Sequence, residues 1–290
     1  MTLLEAIFLA IVQGLTEFLP VSSSGHLAIF QNVFKIEEAD MLFDVLLHLG
    51  TLIAIFICYW KDIKKLIVNG FAILGLWIAN AGIFIANIFS KEKKPMKKVI
   101  TSSYRKFVIM VIISTIPTGI IGVLGEKLIG EAGKQLLVPG ICLIITSAIL
   151  FVSDRLPVGE KTPKSSTYGD AVKVGIVQGL ATLPGISRSG STITAGLACG
   201  FTKSFAVKYS FIMSIPAVLG AVVLELKDGL PEVADGVLTN YLIGTVVSGV
   251  VGFFCIKVVL KLINNNKFKY FSYYCLLAGI ASIVGYFVIK

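Results

Sequence analysis

Nine apolar stretches, most of them about 20 residues long, follow one another along this chain, and bilayer geometry limits what such a chain can become. They run over residues 3–34, 41–60, 66–90, 107–125, 136–152, 171–200, 205–225, 238–260 and 269–289. The runs are continuous rather than alternating, so the chain is expected to span a membrane as α-helices and not as a β-barrel. With 56% hydrophobic and 15% charged residues among 290, a water-soluble globule is excluded. The first stretch lacks a basic leader and carries Glu5, so it is expected to be retained and not cleaved as a signal.

Two of the nine stretches are interrupted. The first is cut by Pro20-Val21-Ser22-Ser23-Ser24-Gly25, and the sixth by Pro184-Gly185-Ile186-Ser187-Arg188-Ser189-Gly190. Each interruption leaves two pieces too short to cross about 30 Å of hydrocarbon at about 1.5 Å per residue. A short helix, a Pro/Gly/Ser break and a second short helix make a re-entrant hairpin, tolerated at depth only where protein or a wet cavity surrounds it. The two hairpins are also copies. "IVQGLTEFLPVSSSGHL" (11–27) aligns without a gap on "IVQGLATLPGISRSGST" (176–192), with 8 identities in 17 at an offset of 165.

Orientation follows from lysine and arginine. Clusters at 61–65, 91–106, 155–173, 203–208 and 257–269 put 20 of the 26 basic residues on one, cytoplasmic, side. Lys35, Lys127, Lys134, Lys227 and Lys290 fall on the other, with the acidic loop at 225–236 and both termini. Segment 66–90 has both flanks inside, so it is expected not to cross; Asn69, Asn80 and Asn87 suit an interfacial or half-inserted element. The first hairpin then enters from outside and the second from inside, and three spans follow each. The predicted fold is an all-α polytopic membrane protein made of two inverted repeats, 1–165 and 166–290, with hairpin tips near the midplane. The net charge of +9 sits in these topogenic clusters and forms no nucleic-acid stripe. Five cysteines inside apolar segments, without paired spacing, read as packing residues.

The tips hold the ionisable groups. Gln13 and Glu17, four apart, share a helix face. Ser22, Ser23 and Ser24 lie where the next half-helix begins, with Ser24 as the expected N-cap and His26 in the first turn. The second tip offers Ser187, Arg188, Ser189, Ser191 and Thr192. Helix N-termini, hydroxyls and a guanidinium together form an anion site suited to phosphate. Glu17 would serve as a divalent-cation ligand or proton partner, and His26 as acid, base or nucleophile. The plainer alternative is a structural Glu17–Arg188 ion pair pinning the hairpins. Ser191 and Thr194 read as packing residues, His48 as a histidine satisfied within the bundle, and Gln178 as inherited scaffold.

"VQGLTEFLPVSSSGHL" and "LPGISRSGSTIT" resemble the undecaprenyl pyrophosphate phosphatase family, the bacitracin-resistance type of membrane phosphatase, and the helix pattern agrees over most of the chain. The 66–100 region is longer and more basic than that family leads one to expect. The resemblance implies hydrolysis of the C55 polyprenyl diphosphate to its monophosphate, which recycles the lipid carrier for cell-wall synthesis and confers bacitracin resistance. It implies a bacterial plasma-membrane location and a divalent cation (Mg²⁺ or Ca²⁺). By motif position it places the acidic element on Gln13 and Glu17, with an amide where some relatives have a second carboxylate. The catalytic set becomes Glu17, Ser23, His26 and Arg188, and the substrate-binding set Ser22, Ser24, Ser187, Ser189 and Thr192. Ser23, His26 and water remain open as nucleophile. The expected partners are a polyprenyl diphosphate and membrane lipids, with no nucleic acid, and a homodimer is compatible with the pattern. The site is expected to open outward, because the tip carrying Glu17 and His26 enters from outside. The rival reading is a transporter or flippase of a polyprenyl phosphate, since inverted repeats with broken helices are also a transporter design.

Overall fold

The structure is a computed structural model that describes residues 1–34, 36, 41–226, 236–264 and 267–288. Lys35, Lys227, Lys290 and the acidic-loop residues Asp228, Glu232 and Asp235 lie outside the described residues. Among the described residues ten helices follow in order: α1 (Leu3–Phe18), α2 (Ser23–Phe34), α3 (Met41–Phe89), α4 (Ser103–Gly133), α5 (Leu137–Ser153), α6 (Tyr168–Leu180), α7 (Arg188–Ala198), α8 (Lys203–Leu226), α9 (Val237–Asn264) and α10 (Phe268–Val288). Among the described residues there is no strand, only an isolated bridge between Lys161 and Phe201. Helices α3, α4, α8, α9 and α10 are long and apolar enough to cross a membrane, and α5 is a shorter apolar helix of 17 residues. The protein is therefore all-helical and multi-pass. Large apolar side chains such as Ile57, Leu124, Val246 and Leu277 stand exposed on these helices, as expected where lipid is the solvent.

The two interrupted stretches fold as helix pairs, α1–α2 and α6–α7, each arm being 16 residues or fewer. Both pairs begin in the same way. Thr2 and Glu5 form a reciprocal capping box at the start of α1, and Thr167 and Asp170 form another at the start of α6. These positions also differ by 165, so the repeat extends nine residues upstream of the duplicated word. The glycine of that word has a packing role in both copies. A methyl group on Gly14 would stand 2.7 Å from the Ser248 carbonyl oxygen of α9, and one on Gly179 2.8 Å from Ile121 of α4. Each first arm therefore lies against a long helix of the opposite half at a distance only glycine permits. Gly140 and Gly279 allow α5 and α10 to cross equally closely.

Segments 41–60 and 66–90 follow one another without a loop as the two helical pieces of α3, joined across a kink at Tyr59 (φ −112°, ψ 20°). The link "KDIKKL" (61–66) contains neither Gly nor Pro and consists mostly of good helix formers, so the chain returns to helix directly after the kink. At the base of this extension Asp62 accepts hydrogen bonds from Tyr104 of α4 (2.9 Å) and Lys208 of α8 (3.0 Å). An aromatic cluster that includes Phe107, Phe201, Phe205 and Tyr209 fills the space between α4, α7 and α8.

Candidate active site

The two helix breaks abut. Ser22 caps α2, its hydroxyl accepting from the Gly25 N–H (3.3 Å), and Ser187 caps α7 by accepting from Gly190 (3.1 Å). The first cap is thus Ser22 and not Ser24, whose hydroxyl lies 3.4 Å from that of Ser22. With Ser22 as cap, both half-helices start at equivalent positions of the repeat. Contact between the tips is reciprocal as well: a methyl on Gly25 would stand 2.8 Å from Gly185 Cα, and one on Gly190 3.0 Å from Pro20 Cβ. Positions 20 and 185 are themselves 165 apart. Ser22 adopts φ 70°, a left-handed conformation rare for a residue with a side chain and typical of over-determined functional turns. At the second tip the positive-φ bend falls on Gly185 (φ 97°), the counterpart of Pro20, two residues before the Ser187 cap. Thr146 of α5 holds the second tip, donating to the Gly185 carbonyl (2.9 Å) and accepting from the Ser187 N–H (2.9 Å).

Glu17, 6% exposed, is the hub. Its Oε2 accepts from the Ser23 hydroxyl at 2.5 Å and from Gln13 Nε2 at 3.1 Å. Its Oε1 is bonded to Arg188 Nη2, forming an ion pair between the two hairpins. Ser23 and Arg188 are the first residues of α2 and α7, where helix N–H groups lack intrahelical partners and the helix dipole is positive. Two helix starts, a hydroxyl and a guanidinium therefore converge on one carboxylate.

The remaining predicted residues lie around this hub. Ser187 Oγ is 3.4 Å from Ser189 Oγ, and Ser189 Oγ is 3.5 Å from the Leu19 carbonyl across the tips. Thr192 is turned to α8, 2.6 Å from Ser210 Oγ. His26 is buried, and its ring is bonded on both sides. Nδ1 donates to the Ser22 carbonyl (2.7 Å), so Nε2 accepts from the Tyr274 hydroxyl of α10 (2.7 Å), with the two rings stacked 5.5 Å apart. His48, read from the sequence as a histidine satisfied within the bundle, is bonded within its own helix and also lies near Glu17. Its Nδ1 donates to the Asp44 carbonyl (2.8 Å) and its Nε2 lies 3.8 Å from Glu17 Oε2. Tyr274, Thr146 and Ser210 carried no local signal in the sequence.

Among the described residues no group of three or more His, Cys, Asp or Glu could hold a metal ion. One observation does favour a cation: Gln13 Oε1 is buried without a hydrogen-bond partner, beside the Glu17 carboxylate. An amide oxygen and one carboxylate suit a hard divalent ion that takes its other ligands from water and substrate phosphate. Gln178, the twin of Gln13, also has a buried Oε1 without a partner, but its Nε2 is directed to the scaffold, donating to Thr118 Oγ1 (3.3 Å) and the Met213 carbonyl (3.4 Å) and not to a carboxylate.

Fold and site together define an all-helical, multi-pass membrane protein whose buried ionisable groups meet where two broken helix pairs touch. Within that class the assignment is specific. Residues 6–281 match the family described as bacitracin resistance protein BacA, and the chain belongs to that family. It is 41% identical over 282 residues to an undecaprenyl-diphosphatase of Methanosphaera stadtmanae, covering 97% of each chain. It is also 41% identical over 281 residues to one from Alkaliphilus metalliredigens (96% of this chain, 97% of the relative). A third, from Halothermothrix orenii, is 37% identical over 285 residues and 98% of each chain.

Proposed function

We propose that this protein hydrolyses undecaprenyl diphosphate to undecaprenyl phosphate and inorganic phosphate, returning the lipid carrier to cell-wall synthesis. The observation that carries this reading is Glu17, bonded at once to a serine hydroxyl and to an arginine. Ser23 donates its proton to Glu17 and attacks the terminal phosphorus. The bond from that phosphorus to the bridging oxygen breaks, and the bridging oxygen leaves with the lipid monophosphate. Glu17 passes that proton to the departing monophosphate; water then attacks the phosphorus on Ser23, giving a proton to the freed Glu17 carboxylate, and Ser23 Oγ leaves as it takes that proton from Glu17. Arg188 turns from Glu17 to two oxygens of the diphosphate, which brings charge to the transferring group and frees the carboxylate to take the proton. The N-termini of α2 and α7, with Ser22, Ser24, Ser187 and Ser189, bind the remaining phosphate oxygens, and Thr192 braces the second tip against Ser210. Gln13 and Glu17 would hold the divalent cation, Mg²⁺ or Ca²⁺, with His48 turned toward the same carboxylate. When bound, the cation neutralises phosphate charge. His26, with both ring nitrogens engaged, positions the turn that carries Ser23.

The reciprocal tip contacts and the paired capping boxes support reading 1–165 and 166–290 as inverted repeats. On that reading the site opens outward in a plasma-membrane protein with both termini outside. In a background without the five native cysteines, Lys134→Cys should react with an impermeant thiol reagent on intact cells and Lys98→Cys should not; the reverse would overturn the orientation.

Phosphate release from undecaprenyl diphosphate by purified protein in detergent tests the activity under conditions where transport is impossible. Release should require Mg²⁺ or Ca²⁺ and stop on chelation. No release with either cation would sink the phosphatase reading and leave the flippase.

A further inference from the structure

The extension of α3 beyond the bundle is two-sided. Asn80 exchanges two hydrogen bonds with the backbone of Lys97, and Asn87 exchanges two with that of Lys94, all at 2.8 Å. Asn69 accepts from Ser102 Oγ at 3.4 Å. Residues 91–102 are therefore strapped antiparallel along one stripe of the helix, and exposed Lys91, Lys93, Lys94, Lys97 and Lys98 lie on that strap. At about 100° per residue, the stripe holding Phe71, Leu74, Ile78, Ile85 and Phe89 lies opposite the asparagines. All five are exposed, from 51% at Leu74 to 85% at Phe89. Side chains added at Gly75 and Gly82 would meet open space.

We propose that residues 66–98 form an arm lying in the headgroup layer of the cytoplasmic leaflet, with the Phe71–Phe89 stripe in the acyl region and the lysine strap on anionic phospholipid headgroups. The two other placements fail on the same contacts. If the arm crossed the bilayer, the antiparallel strap would carry its lysines into hydrocarbon. If it projected into water, it would expose a continuous apolar stripe. Its depth is set at its base, where Gly70 faces Val108 near the start of α4, beside the basic cluster that marks that end as cytoplasmic. An apolar stripe opposite a lysine-rich face is the pattern of an interfacial helix, and a cluster of five lysines matches an anionic surface.

Trp60→Phe leaves Trp77, at the edge of the apolar stripe, as the sole tryptophan of the full-length protein. With one copy per lipid nanodisc containing phosphatidylglycerol, brominated acyl chains should quench Trp77 and aqueous iodide should not. Changing the five strap lysines to Gln, or using phosphatidylcholine alone, should cut the lipid quenching by about twofold or more. Quenching by iodide and not by brominated lipid would overturn the membrane placement. Lipid quenching indifferent to both lipid charge and the lysine changes would overturn the anionic recognition. Protection from both quenchers that appears only with two copies per disc would assign the stripe to a second copy instead.

Discussion

The two helix breaks are built alike and equipped differently. Each follows an arm that opens with a capping box and carries a close-packed glycine, and each restarts with a serine cap bonded to a glycine three residues on. The difference lies in what those shared positions hold. Ser23 and Arg188 are the same position of the repeat, the first residue of a half-helix, and both bond Glu17. Glu17 itself corresponds to Thr182, whose hydroxyl only returns to the Gly179 carbonyl of its own arm (2.7 Å). Two helix starts at matching positions of the sequence repeat thus face each other, one with a hydroxyl and the other with a cation, and one carboxylate bonds both.

The largest expected effect comes from removing that asymmetry at its centre. Glu17→Gln keeps the shape but not the base, and should lower kcat by about 10³-fold, while Thr182→Val should leave phosphate release nearly unchanged. Equal losses in both would mean the tips are not specialised. Arg188→Lys comes next. A point charge cannot make the guanidinium fork, so kcat should fall about 10²-fold with the protein still folded. Near-normal turnover would reduce the Glu17–Arg188 pair to a pin between hairpins.

What the sequence made legible was local. Pro20 and Pro184 with their serines and glycines marked both breaks. Glu17, Ser23 and Arg188 stood out as polar groups in apolar surroundings. The less legible features depend on distance or on choices between neighbours. Tyr274 reaches His26 across 248 positions and Thr146 reaches Gly185 across 39, and no spacing rule connects them. Ser24 was the expected cap, but it is Ser22 that takes the left-handed turn and accepts from the Gly25 N–H. The Lys61–Lys65 cluster marked the division of α3 to within a few residues, but nothing local showed that its two pieces join through a kink at Tyr59 and not through a loop. That His48 also lies near Glu17 of α1 had no signal on α3 alone.

The twin glutamines sharpen the comparison at smaller amplitude. Gln13→Ala removes the unpartnered amide oxygen next to Glu17, and should cost about tenfold in activity while raising the divalent concentration needed. Gln178→Ala removes contacts to Thr118 and Met213, and should cost about 1 kcal/mol of stability with little change in turnover. A shift in metal requirement in the second variant, or none in the first, would reverse the roles.

The smallest effect tests whether His26 acts through geometry or through its ring. Tyr274→Phe keeps the stacked ring but removes the hydroxyl that occupies Nε2, at a cost of about 1 kcal/mol for one buried hydrogen bond. If His26 only positions the turn, kcat should drop by about fivefold, KM should hold, and the pH profile should keep its shape. His26→Ala should lose more, because the Nδ1 bond to the left-handed Ser22 carbonyl disappears with the ring. A rise in kcat with a new ionisation in the pH profile of Tyr274→Phe would instead show that Tyr274 restrains an imidazole able to attack or to shuttle protons. Ser23 would then lose its place as the sole nucleophile.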